Sequence, residues 1–156
     1  MKKLISGMLL LCLLSLVSCA EPRPVRALLE EYMAEQPLPA GFCYDSQAGE
    51  GEAAYLSKSL LISLYGADAP ALLSRTAESY ALYLSAFPTP CEIAVFRLYA
   101  RSDTDAVLSL CLSRLDQLRV LLRHTEHEVA LARATVEAHG RLVVFRIPPY
   151  TISHSQ

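Results

Sequence analysis

The stretch whose reading decides the fold runs from Cys91 to Leu122, CEIAVFRLYARSDTDAVLSLCLSRLDQLRVLL. It opens with alternation: Cys91, Ile93, Val95 and Tyr99 on one side, Glu92, Ala94, Phe96 and Leu98 on the other. Side chains two apart share a face of a strand. Because both faces are rather apolar, this strand is expected at the centre of a sheet, covered on each side. Then the period changes. Val107, Leu108, Cys111, Leu112, Leu115, Leu118 and Leu122 recur at 3.6-residue spacing, which predicts a long helix with one buried stripe. Ser102, followed by Asp105 three residues on, reads as a capping box at its start. Ser109, Ser113, Asp116 and Arg123 lie off the stripe. Each stripe residue contributes about 1.5–3 kcal/mol when buried, so this helix should dominate the core.

Working backwards, Tyr80, Leu82 and Leu84 alternate with Ser79, Ala81 and Ser85, a second strand. Pro88-Thr89-Pro90 separates it from the first, so the two should form a hairpin. Earlier still, Glu52–Tyr65 reads as a helix with Leu56, Leu60, Leu61 and Leu64 inward, and Gly66 is placed as its left-handed cap. Asp68 and Pro70 suggest a short helix through Leu73. Gly41-Phe42-Cys43-Tyr44 is a candidate edge strand, followed by a loop from Asp45 to Gly51. A first helix starts at Pro24, with Val25, Leu28, Leu29, Tyr32 and Met33 inward, and ends before Pro37 and Pro39.

Working forwards, His124–Glu128 reads as a polar, solvated turn. Ala134–Ala138 and Leu142–Ile147 read as a closing hairpin around Gly140, stopped by Pro148 and Pro149. The expected fold is α+β. N-terminal helices precede an antiparallel sheet of about four strands, in the order β-β-α-β-β, packed against the long helix. Residues 24–150 make a single domain, and 151–156 a frayed tail.

The N-terminus reads as an address. Lys2 and Lys3 precede an apolar run from Leu4 to Leu16, too short for a bilayer span of ~20 residues. The run ends in Leu16-Val17-Ser18-Cys19. This resembles the lipobox of bacterial lipoproteins. The resemblance implies a signal peptide over 1–18, a diacylglyceryl group on the Cys19 thiol, and an exported domain held on the membrane. Cys19 to Arg23 would be the tether, stiffened by Pro22 and Pro24.

Removing 1–18 leaves 138 residues with 12 Lys+Arg against 16 Asp+Glu, a formal charge of −4. A mildly acidic domain is a poor partner for nucleic acid. On net charge it also gains nothing from anionic lipid, so the acyl chains should do the anchoring. Export permits disulfides. With Cys111 on the buried stripe, Cys43 and Cys91 are the pair to test.

The run Glu92-Ile93-Ala94-Val95-Phe96 resembles the signature strand of an uncharacterised family of small exported lipoproteins, common in clostridial-type Gram-positive bacteria. The Leu64-Tyr65-Gly66 helix end, the Tyr80–Leu84 strand, the helix with Arg114-Leu115 and the final hairpin at Gly140 extend the likeness over about residues 25–147. It implies a domain of unknown function and no reaction, substrate or cofactor. Pro148-Pro149 departs from it, since such proteins often continue into a charged tail.

Few residues suggest chemistry. Glu92 sits on a strand with Arg97 on the opposite face, and could act as a general acid/base or anchor a ligand. The simpler reading pairs it with a helix arginine, Arg114, fixing sheet to helix. His124 and His127 are three apart with carboxylates between, but no third metal ligand is placed nearby and the spacing is not that of HExxH. No nucleophile elbow or glycine-rich phosphate loop is present in the sequence. The eight tyrosines read mostly as core residues with wet hydroxyls. The expectation is a non-catalytic envelope domain without metal or cofactor that binds or supports another protein; the alternative is a small-ligand-binding lipoprotein.

Overall fold

A computed structural model describes residues 22–86 and 89–150. The expected signal peptide over 1–18, Cys19 and the expected tail over 151–156 lie outside the described residues. The elements, in chain order, are helix α1 (Val25–Ala34), strand β1 (Gly41–Asp45), α2 (Lys58–Tyr65), α3 (Ala69–Thr76), β2 (Ala77–Ser85), β3 (Glu92–Leu98), a 3-10 turn (Arg101–Asp103), α4 (Thr104–Leu121), α5 (Glu128–Ala132), β4 (Thr135–His139) and β5 (Leu142–Ile147). The class is α+β, with the long helix on an antiparallel sheet.

The sheet has five strands rather than about four, ordered β1-β2-β3-β5-β4. The fifth is β1, the edge strand expected at Gly41–Tyr44, antiparallel to β2 from Gly41 opposite Ser85 to Asp45 opposite Ala81. β2 and β3 pair as the expected hairpin. β5 pairs with β3 on one side and β4 on the other, so the closing hairpin folds its second strand inward. Its turn is closed by Gly140 at φ +66°, a conformation that costs glycine no steric penalty. All seven residues of β3 are buried, as expected of a strand covered on both faces.

Two cores explain that burial. Ala94, Phe96 and Leu98 of β3 face α2, α3, α4 and α5, in a cluster with Leu61, Leu73, Cys111, Leu115, Leu131 and Phe145. Ile93 and Val95 face α1, through Val25 and Leu29, with Ala81, Tyr83 and Val144. The molecule therefore has three layers, with α1 alone on one face of the sheet.

Several local expectations are corrected. The helix expected over Glu52–Tyr65 begins only at Lys58, because Ser57 Oγ accepts the Leu60 N–H at 3.1 Å as its N-cap. The residues before it are drawn to β1 instead, where Asp45 N–H donates to Ala54 O at 2.8 Å. Gly66 does end this helix with φ +93°, but its ψ of 169° is extended rather than left-handed helical. The cap of α4 shifts: a 3-10 turn precedes it, and Asp103 Oδ2 accepts the Ala100 N–H at 3.2 Å. On α4, Val107, Cys111, Leu115 and Leu118 are buried, but Leu112 is 49% exposed. His127 is buried, not solvated, with its ring edge-on to Tyr150 at 6.1 Å between centroids. Among the described residues no helix is long and apolar enough to cross a membrane.

Candidate functional site

Glu92 is the polar residue buried deepest, 1% exposed at the first position of β3 on the face covered by α4. A carboxylate taken out of water needs partners for both oxygens. It has them. Tyr65, the last residue of α2, donates its hydroxyl to Oε1 at 2.7 Å. Arg114, at mid-helix in α4, donates Nε to Oε2 at 3.1 Å. Three elements thus meet at one carboxylate: α2 by its C-terminal turn, α4 by its side facing the sheet, β3 by its start.

The surroundings set the chemistry. Burial, and then the Glu92 charge, push the Tyr65 phenol well above the ordinary tyrosine range, so it is a fixed donor. Burial and then the same carboxylate push the Cys91 thiol up to about 12, and the Cys111 thiol also upward. Neither thiol is a nucleophile at neutral pH, since the thiolate is the reactive form. Tyr65 also stands edge-on to Phe96 at 6.1 Å, which packs the cluster into the main core. Beside it opens a cleft of about 140 Å³, lined by Leu84, Ser85, Thr89, Cys91, Glu92 and Arg114 among others. The Ser85 hydroxyl donates to the Thr89 carbonyl and the Thr89 hydroxyl to the Ala86 carbonyl, so both mouth hydroxyls are engaged. The arrangement clamps helix to sheet; proton transfer would require breaking it.

The other residues singled out by sequence fall elsewhere. Arg97 lies on the opposite face of β3 and donates to the carbonyl of Arg23. Cys43, Cys91 and Cys111 are free thiols; Cys43 lies 3.7 Å from the Met33 sulfur and carries no bond to Cys91. His124 and His127 diverge: His124 is exposed with φ +63°, while His127 turns into the protein. Cys19 lies outside the described residues.

Sequence reasoning missed Tyr65 as the second partner of Glu92. The available signal was its position, a tyrosine on the inward side of the last helical turn before Gly66. It also missed the outer face of α4. There Leu112, Val120 and Leu121 are 49%, 78% and 75% exposed and line a shallow groove with Ser109, Ser113, Asp116 and Gln117. Comparison with protein-family models, curated proteins and solved structures finds no match to this chain, so its fold and site stand on their own residues.

Proposed function

We propose that this chain is a lipid-anchored domain of the bacterial cell envelope that acts by binding another envelope protein, not by catalysis. The observation that carries the binding reading is the outer face of α4, where three large apolar side chains stand in solvent on a helix whose inner face is already fully packed. Contiguous apolar surface rimmed by polar residues marks interaction sites in soluble domains. The non-catalytic reading is supported by the Glu92 cluster, in which both carboxylate oxygens and the Tyr65 hydroxyl are occupied by one another and by Arg114. The small-ligand alternative is less well supported: the cleft beside Glu92, about 140 Å³, falls below the ~300 Å³ at which ligand pockets begin, and the groove on α4, about 890 Å³, is an open helix face rather than a concave site that would bury a ligand.

The anchor reading rests on Lys2, Lys3, the Leu4–Leu16 run and the small residues leading to Cys19, together with the likeness to exported lipoproteins. Labelling cells with a fatty-acid analogue tests it. Wild type should take label and fractionate with membranes, and Cys19→Ser should lose the label and the membrane association. An unlabelled wild type would refute the anchor.

A further inference from the structure

β1 closes one edge of the sheet, and the bonds around it show which of its backbone groups are left over. Ala86 N–H donates to Ala40 O at 2.8 Å, and Ser46 N–H to Tyr80 O at 2.9 Å. Successive residues of a strand turn their backbone groups to opposite sides. Phe42 and Tyr44 therefore bond β2, while Gly41, Cys43 and Asp45 turn outward. Asp45 follows this rule: its N–H donates outward to Ala54 O at 2.8 Å, and its carbonyl accepts the Ala48 N–H at 3.2 Å. At the other end Pro39 has no N–H, and its carbonyl accepts the Tyr83 hydroxyl. Between these two satisfied ends, the N–H and C=O of Gly41 and of Cys43 have no backbone partner among the described residues. Native edges are shielded by charged side chains, by proline within the strand or by bulges. Ala40 to Tyr44 carries neither charge nor proline, and β1 pairs with β2 without a bulge. Phe42 stands 62% exposed in the middle of it.

We propose that this edge pairs with β1 of a second copy of the chain, antiparallel, about a two-fold axis through Phe42. In that register Gly41 of each copy lies opposite Cys43 of the other, and each such pair exchanges both N–H···O bonds. All four free groups are used. Phe42 lies opposite Phe42 at the non-hydrogen-bonded position between them, where Cα atoms stand ~4.5 Å apart and side chains meet. Pro39, without an N–H, falls opposite Asp45, whose N–H is already taken by Ala54. Neither end gains an unpaired donor. A longer extended peptide would find no free backbone group beyond Gly41–Cys43, whereas a second copy ends where the edge ends. The axis stands perpendicular to the sheet, so the two faces stay distinct. α1, beside which Arg97 holds the Arg23 carbonyl, lies on one side in both copies, and α4 on the other. On the anchor reading both tethers then leave from one side of a joined sheet, and both outer faces of α4 stay open. The pairing itself depends on neither the anchor nor the docking reading of α4.

The mass of the full chain in mild detergent, read by sedimentation, tests the pairing. Wild type should be a dimer. Phe42→Lys and Phe42→Glu change an exposed side chain and set like charges opposite each other, so each alone should weaken the dimer about tenfold. Mixing the two variants should restore a dimer that holds one of each, which also shows that both still fold. Leu112→Ser with Leu121→Ser should leave the dimer intact. In membranes, mild oxidation of Phe42→Cys should give a reducible dimer, since opposed non-hydrogen-bonded positions lie within disulfide reach, and Ser74→Cys should not. A wild type of monomer mass, a dimer indifferent to both charges, or a mixture no more dimeric than its parts would overturn the pairing. So would loss of the dimer in the α4 serine variant, which would place the contact on α4. Capture of a different protein by Phe42→Cys, with no self-linked dimer, would give the edge to another partner and equally overturn it.

Discussion

On the inner face of α4, Val107, Cys111, Leu115 and Leu118 are buried against the sheet; on its outer face Leu112, Val120 and Leu121 stand in water. The two faces carry the same chemistry and differ in what covers them. The inner side chains gain their hydrophobic stabilisation within the fold. The outer ones contribute almost none, and they cost solubility. A leucine on this helix is therefore no guide to stability by itself; its angular distance from the Cys111–Leu115–Leu118 line decides.

The difference can be broken most sharply where α4 is tied to the sheet. Arg114→Met leaves Glu92 buried without its counter-charge and should cost about 3–5 kcal/mol in urea unfolding. Adding Glu92→Met to it should recover much of that loss, because the uncompensated charge is gone. A double variant no more stable than Arg114→Met would mean that the pair is not coupled. On the packed face, Leu115→Ala should cost about 2–5 kcal/mol, combining lost transfer energy with a cavity.

A pH titration acts on the inner side too. The Cys91 thiol, ordinarily near 9, is pushed up to about 12 in the folded chain, and the Tyr83 phenol, ordinarily near 10, also reaches about 12. The unfolded chain releases these protons first, so their contribution is complete below pH 9 and is lost as pH rises through 12. Unfolding midpoints should fall from pH 9 upwards, and Cys91→Ala should flatten the first part of that decline. The smallest effect belongs to the outer face: Leu112→Ser, Val120→Ser and Leu121→Ser should each shift stability by no more than about 0.5 kcal/mol. A larger loss from any of them would show that this face supports the fold after all.

How much of this could be read beforehand follows from the range of each interaction. The alternation of Cys91–Tyr99 and the stripe from Val107 to Leu118 are local periodicities, and they mark β3 and the inner face of α4 in the folded chain. Gly140 likewise marks its turn because the demand for positive φ is local. Leu112 departs from the expected stripe because it sits at its margin, where the sheet decides which side chains are covered; Leu110, on the other margin, packs against the core. The placement of β5 between β3 and β4 depends on pairing across a long separation, which no short window contains. The same holds for Tyr65, 27 residues from its partner Glu92. Glu92 and Arg114 could be named as partners because a buried strand carboxylate needs a cation, and the facing helix carries one on its flank.

The outer face of α4 is the proposed docking surface for another envelope protein. The most direct measurement places a photoreactive amino acid at position 120 in the full chain, irradiates intact cells and compares the adducts with those from position 74, an exposed polar site on α3. One discrete adduct with an exported envelope protein is expected from position 120, absent from position 74 and lost when Leu112 and Leu121 are both changed to serine. No adduct from 120, or the same adducts from 74 and from the serine variant, would contradict it.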